Sequence, residues 1–312
     1  MFLKHLINPK PSIIFFFIVF CILFVAFPLI KIELTTLFFH DYINPLIICV
    51  LSLTIPFFLS TGLNNIIYEK NIIRKDNLVI GVIFFLISSP FINNIEIWIS
   101  GFLLLFSFSF LINTYQKDLC FSEFYNASII LAIITFIYPN MIYLIFLFII
   151  SGINYSNINW RIIVTIFLGF ITPYLFYFVI TFMSGANFII PQFFKFSKIN
   201  FSLIEKMCFS QQIPITIFLV IILFSFFELF SWLYKKSIKS RRTFMTIIWF
   251  FIISVLISIY SGWQYFYFSL IPLAIIIGNY FVYTKNRKIA DILFFMLIIS
   301  SFYYKYWIVF NM

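Results

Sequence analysis

The sequence predicts an all-α protein, a polytopic bundle of transmembrane helices. Three observations carry that prediction. Of 312 residues, 63% are hydrophobic and only 10% are charged, whereas soluble domains carry about 25% charged residues. The mean hydropathy is +1.11. The apolar residues also fall into runs of roughly 20, the length that crosses a ~30 Å hydrocarbon core at ~1.5 Å per residue. No water-soluble fold could enclose so much apolar surface, so the solvent is lipid. The chain reads as a single transmembrane domain over 1–312, with no soluble domain, internal repeat or low-complexity linker.

The first run follows MFLKHLINPKPS and ends in FPLIKIEL. Because no small-residue cleavage site follows it, a retained transmembrane helix near 12–30 is expected. Further spans are expected near 43–63, 78–92, 95–113, 162–183, 213–234, 244–260, 264–283 and 290–310. With the ambiguous stretch 126–152, the bundle holds about 10 or 11 membrane segments. The segment 78–92 is short, broken by SSPFINN.

The stretch 126–152 decides which side every later loop faces. Start with the N-terminus cytoplasmic, as Lys4 and Lys10 suggest, and let 126–152 cross twice. Lys4, Lys10, Lys70, Arg74, Lys75, Lys117, Arg161, Lys235, Lys236, Lys239, Arg241, Arg242, Lys285, Arg287 and Lys288 then lie inside, while Lys31, Lys195, Lys198, Lys206 and Lys305 lie outside. A single crossing inverts every later loop and divides the same cations evenly. Positive residues concentrate in short cytoplasmic loops, so the double crossing is favoured, and the cluster KKSIKSRR (235–242) decides most of it. The residue before a proline is pushed out of the helical region, so the turn belongs at Tyr138-Pro139. Split there, each arm has about 13 residues and rises about 20 Å, so a short or re-entrant hairpin is expected.

The net charge of +10 would raise nucleic acid as a partner in a soluble protein. Here the basic residues sit in short loops, as topology signals that touch anionic headgroups of the bilayer, and no nucleic-acid partner is expected. Cys21, Cys49, Cys120 and Cys208 show neither disulfide nor zinc spacing, and His5 and His40 are far apart, so no metal site is expected. Phosphate-binding, nucleophile-elbow and metalloprotease motifs are missing, and no cofactor is expected.

Residues that could carry chemistry sit mostly outside. The first outer loop, KIELTTLFFHDY (31–42), holds Glu33, His40 and Asp41, where a carboxylate could act as general base or hold a cation against a phosphate. The loop 184–212 interleaves Phe with Lys195 and Lys198, and Lys206 follows; that mix suits an interfacial helix, and the same geometry would hold a lipid-linked phosphate. Glu96 and Gln264 belong to the same outer face. Glu228, near the cytoplasmic end of its span, is expected to pair with a downstream lysine such as Lys235 or to take an ion or proton role.

Several short motifs carry a resemblance: Asn64-Asn65, Ser88-Ser89-Pro90, Tyr138-Pro139, Trp160-Arg161, Leu168-Gly169 and Pro173-Tyr174. Through 61–91 and 124–178 the chain resembles an uncharacterised polytopic inner-membrane family of Bacteroidota. That resemblance implies an inner-membrane location and no established activity. A second likeness is to multi-pass glycosyltransferases that use lipid-linked sugars, which carry acidic residues in the first outer loop; it would make Asp41, with Glu33, the catalytic position. The chain departs from that pattern in having no adjacent acidic pair and no large outer domain. Three readings therefore stand: a non-enzymatic component of the bacterial envelope, with other membrane proteins as partners; a lipid-linked-sugar transferase with Lys195, Lys198 and Lys206 on the phosphate; and a transporter.

Overall fold

Where water is absent, every backbone N–H and C=O must find a partner in its own segment, and helix is the result. The structure is a computed structural model that describes residues 2–29, 45–73, 75–88, 95–117, 119–185, 187–188, 190–193 and 209–311. The described residues form α1 (Phe2–Leu6), α2 (Pro11–Leu29), α3 (Pro45–Glu69), α4 (Val79–Ile87), α5 (Ile95–Asn113), α6 (Phe121–Ile137), a 3-10 turn (Pro139–Leu144), α7 (Ile145–Asn154), α8 (Trp160–Ser184), α9 (Phe209–Leu233), α10 (Ile238–Ser261), a second 3-10 turn (Trp263–Tyr265), α11 (Phe266–Tyr283) and α12 (Arg287–Asn311). No named strand occurs among them. Among the described residues, five helices are long and apolar enough to cross a membrane: α5, α8, α9, α10 and α11 with its preceding turn. Shorter apolar helices cover Pro11–Ile22, Phe121–Ile137 and Pro139–Asn154.

The helices pack as two units, residues 1–99, 200–236 and 270–312 in the first and 100–199 and 237–269 in the second. In the first unit α4 is enclosed. All nine of its residues are buried, and at ~1.5 Å per residue it rises only about 14 Å. Its close neighbours explain the glycines. A Cβ on Gly81 would stand 2.9 Å from the Ser60 carbonyl of α3, and one on Gly278 of α11 would meet Ile80. Asn64, from the asparagine pair, donates its amide to the Asn77 carbonyl and ties α3 to the loop before α4. The same loop holds the N-terminus: Asn8 N donates to the Asp76 carbonyl, Leu78 N to the Leu6 carbonyl, and Leu3 N to Asp291 Oδ1 at the start of α12. Lys4, Lys10, Lys70, Lys75, Lys285, Arg287 and Lys288 therefore gather at one end of this unit.

Lys305 occupies a different place from the exposed outer position the sequence suggests. It is 5% exposed, donates to the Phe24 carbonyl, and stands 3.7 Å from the Phe24 ring centroid. The reason lies four residues further along α2. Pro28 has no N–H, so the Phe24 carbonyl loses the partner a helix would supply. In lipid such a freed carbonyl must be satisfied from a neighbouring helix, and the Lys305 ammonium of α12 does so. A double-mutant cycle of Lys305→Met with Pro28→Ala should show coupling of about 1 kcal/mol, because Pro28→Ala restores the helix's own donor. It is read from thermal unfolding in detergent, and equal losses from Lys305→Met in both backgrounds would remove this account.

Candidate functional site

The second unit is built on a chain reversal. α6 ends where Tyr138, at φ −121° and ψ 81°, leaves the helical region ahead of Pro139, and the chain turns through Pro139–Leu144 into α7. The reversal is complete, because a Cβ on Gly152, near the end of α7, would stand 3.7 Å from the Phe124 ring at the start of α6. Both arms are longer than the 13 residues expected. α6 begins at Phe121, and the return arm starts with a stretched 3-10 turn that rises about 2 Å per residue. Each arm thus rises about 26 Å, near the ~30 Å of a hydrocarbon core.

The loops on either side of the hairpin meet. Asn157 donates its amide to the Thr114 carbonyl, Arg242 Nη1 donates to Ser156 Oγ at 3.1 Å, and Lys239 Nζ lies 5.8 Å from the Tyr115 ring centroid. Lys117, Arg161, Lys239, Arg241 and Arg242 therefore share one end of the unit. A single crossing would have put 235–242 at the opposite end. At this basic end Lys117 pairs with Glu123, ahead of the apolar stretch. Burial raises the Cys120 thiol, which makes it a poor nucleophile.

α8 closes on α6 through the residues of the family-like motif. A Cβ on Gly169 would collide with Ser128 Oγ and stand 2.7 Å from the Tyr125 carbonyl. One turn on, the Tyr174 and Thr135 hydroxyls hydrogen-bond at 2.6 Å. Gly169 and Tyr174 are thus packing positions, Leu168 is exposed, and Tyr138-Pro139 is the turn itself.

The turn end collects neutral polar groups between aromatic rings. Asn140, 5% exposed, donates Nδ2 to Ser261 Oγ at 2.7 Å, and its backbone hydrogen-bonds the Tyr265 hydroxyl. Ser261 ends α10, and Gly262, at φ 111°, makes the left-handed step that swings Trp263–Tyr265 over the turn. Tyr138 packs edge-on against Tyr265 at 5.5 Å and Phe268 at 5.3 Å. Trp263 and Gln264 stay exposed. Phe188 and Phe193 pack on α8, Phe188 5.3 Å from Tyr177 and Phe193 6.0 Å from Tyr174. Hydroxyls, amides and aromatic faces can bind a neutral polar group. Glu123 lies at the other end of the unit, beside Lys117.

The sequence-predicted candidates fare as follows. Asp41, Glu33, His40, Lys195, Lys198 and Lys206 lie outside the described residues. Glu96 is 1% exposed in the first turn of α5 rather than on an open face. Glu228 is half-buried within α9 and makes no ion pair with Lys235, which stays exposed beyond the end of the helix. Among the described residues no three of His, Cys, Asp and Glu are grouped to hold a metal. The Asn140–Ser261–Tyr265 network escaped sequence reasoning, and YPN and SGWQY were its only traces. Ser261→Ala should strip the acceptor from a buried amide and lower stability by about 1–3 kcal/mol in thermal unfolding. Ser258→Ala, whose hydroxyl bonds only within its own helix, should change stability far less.

No curated protein and no solved structure matches this chain. The family resemblance is firmer: the model of a family of unknown function, DUF6427, matches residues 1–312. Its match spans the hairpin, the Gly169 contact and both sets of basic loops, and the chain belongs to that family.

Proposed function

We propose that the chain is a multi-pass protein of the bacterial inner membrane, with its N-terminus and basic loops on the cytoplasmic side, serving as a non-enzymatic component of the envelope. The observation that carries this reading is the segregation of cations. In each unit the described basic segments meet at one end, while Lys305 sits near the opposite end of α12 from Arg287. Such asymmetry is what positive-inside insertion produces. At the turn end, the polar groups of Asn140, Ser261, Thr135 and Tyr174 are engaged with one another, which suits a rigid support better than a reaction centre.

Cysteine accessibility in intact cells tests the orientation. After the native cysteines are replaced, a probe at Gln264 should label from outside and one at Arg241 should not. Labelling of Arg241 from outside would overturn the assignment.

A second reading is transfer from a lipid-linked donor at the outer face. It is favoured by the packing of Phe188 and Phe193 on α8, since the chain enters the lysine-bearing loop from the turn end. Asp41 with Glu33 would supply the base, and Lys195, Lys198 and Lys206 would hold the phosphate. An Asp41→Asn strain should then lose function at normal protein abundance; full function would dismiss the transferase role of Asp41.

A further inference from the structure

The end of the first unit that carries its cations holds a cluster that neither reading uses. α9 ends in Trp232 and Leu233, and the chain continues through Tyr234 and Lys235 to Lys236. Lys236 folds back so that Nζ stands 4.7 Å from the Trp232 ring centroid and 4.2 Å from that of Tyr283, the last residue of α11. The two rings pack against each other at 5.1 Å. Lys75, from the loop between α3 and α4, brings its own Nζ to 5.1 Å from the same Tyr283 centroid. Two ammonium groups from distant loops thus converge on one tyrosine.

Like charges on flexible stems spread apart in water unless something attractive lies between them. The ring faces supply that attraction. An anion within reach of both ammonium groups would be attracted to both at once. Lys75 is exposed and Lys236 half-buried, so both heads remain within reach of a ligand. Lys235, Lys285, Arg287 and Lys288, all exposed, stand in the adjoining segments. The acidic groups of this end are Asp76, exposed beside Lys75; Glu69, exposed at the end of α3, where it accepts from the Asn65 amide; Asp291, which accepts the Leu3 N–H; and Glu228, half-buried one turn before Trp232. A tryptophan and a tyrosine at adjacent helix ends mark headgroup depth, and basic notches between transmembrane helices suit lipid headgroup phosphates. Two separate point charges also fit the tetrahedral oxygens of a phosphate, while a planar carboxylate favours the arginine fork.

We propose that Lys75 and Lys236, seated on Tyr283 and Trp232, form a binding site for a phosphate group. The same chemistry serves the phosphodiester of an anionic lipid headgroup or a free phosphate. The site does not depend on the function proposed above, and its test leaves that reading untouched.

The test uses the purified full-length protein in phosphatidylcholine nanodiscs, with and without cardiolipin, and in detergent with inorganic phosphate. The thermal unfolding midpoint is the readout. Cardiolipin should raise the midpoint, and the Lys75→Gln/Lys236→Gln variant should lose most of that rise, with affinity falling about fivefold per lysine removed. Lys4→Gln/Lys10→Gln removes the same charge from exposed positions at the same end and should keep the rise. If inorganic phosphate also raises the midpoint and the double variant ignores it, the ligand is a free phosphate; a rise with cardiolipin alone makes it a lipid headgroup. Equal losses in both double variants would reveal diffuse attraction and overturn the proposal, as would no rise with either ligand. Should the double variant fail to fold, Lys75→Gln alone, a change at an exposed side chain, must lose part of the rise while Lys236→Arg keeps it.

Discussion

The reversal at Pro139 is the constraint on which the second unit depends. A proline cannot donate to the ladder behind it, and it pushes Tyr138 out of the helical region. In lipid a broken helix must turn and satisfy itself again, so α7 runs back beside α6 until Gly152 meets Phe124. Everything at the basic end follows from that return. Residues 155–161 come back to 114–117, α8 starts from the same end as α6, and 237–242 join them through Arg242 and Lys239.

Prolines elsewhere pose the same problem and receive different answers. Pro28 leaves the Phe24 carbonyl without its helical partner, and a lysine from α12 fills the place. A lysine near the end of a transmembrane helix would ordinarily snorkel to water. Lys305 turns inward instead, toward an unmet acceptor and an aromatic face. In α8, Pro173 takes away the N–H that would bond the Gly169 carbonyl, at the level where Gly169 lets α6 and α8 approach within backbone contact. Small residue and proline thus act together at one packing point.

The uncovered surface divides the molecule by role. α8 and α9 leave most of their apolar side chains exposed, and acyl chains are their natural solvent. α11 is nearly enclosed and supplies the buried Tyr267, which fills the place left by Gly101 of α5. In both units aromatic rings pack around the few polar groups, edge-on at Tyr138–Tyr265 and tilted at Trp232–Tyr283.

Hydropathy and charge add up along a chain, so the sequence alone determined the helical class, the position of the long spans, the break at Tyr138-Pro139 and the grouping of the basic loops. The length of the hairpin arms needed the structure, because α6 takes up 121–125 and the return arm is stretched by a 3-10 turn. Asn140 with Ser261, Lys305 with Phe24, and Lys75 and Lys236 on Tyr283 were decided by tertiary structure alone. Each joins positions far apart in sequence, and whether two such side chains meet depends on how each helix is rotated about its axis. That rotation is set by packing, by glycine contacts such as those at Gly81 and Gly169, and composition carries no record of it.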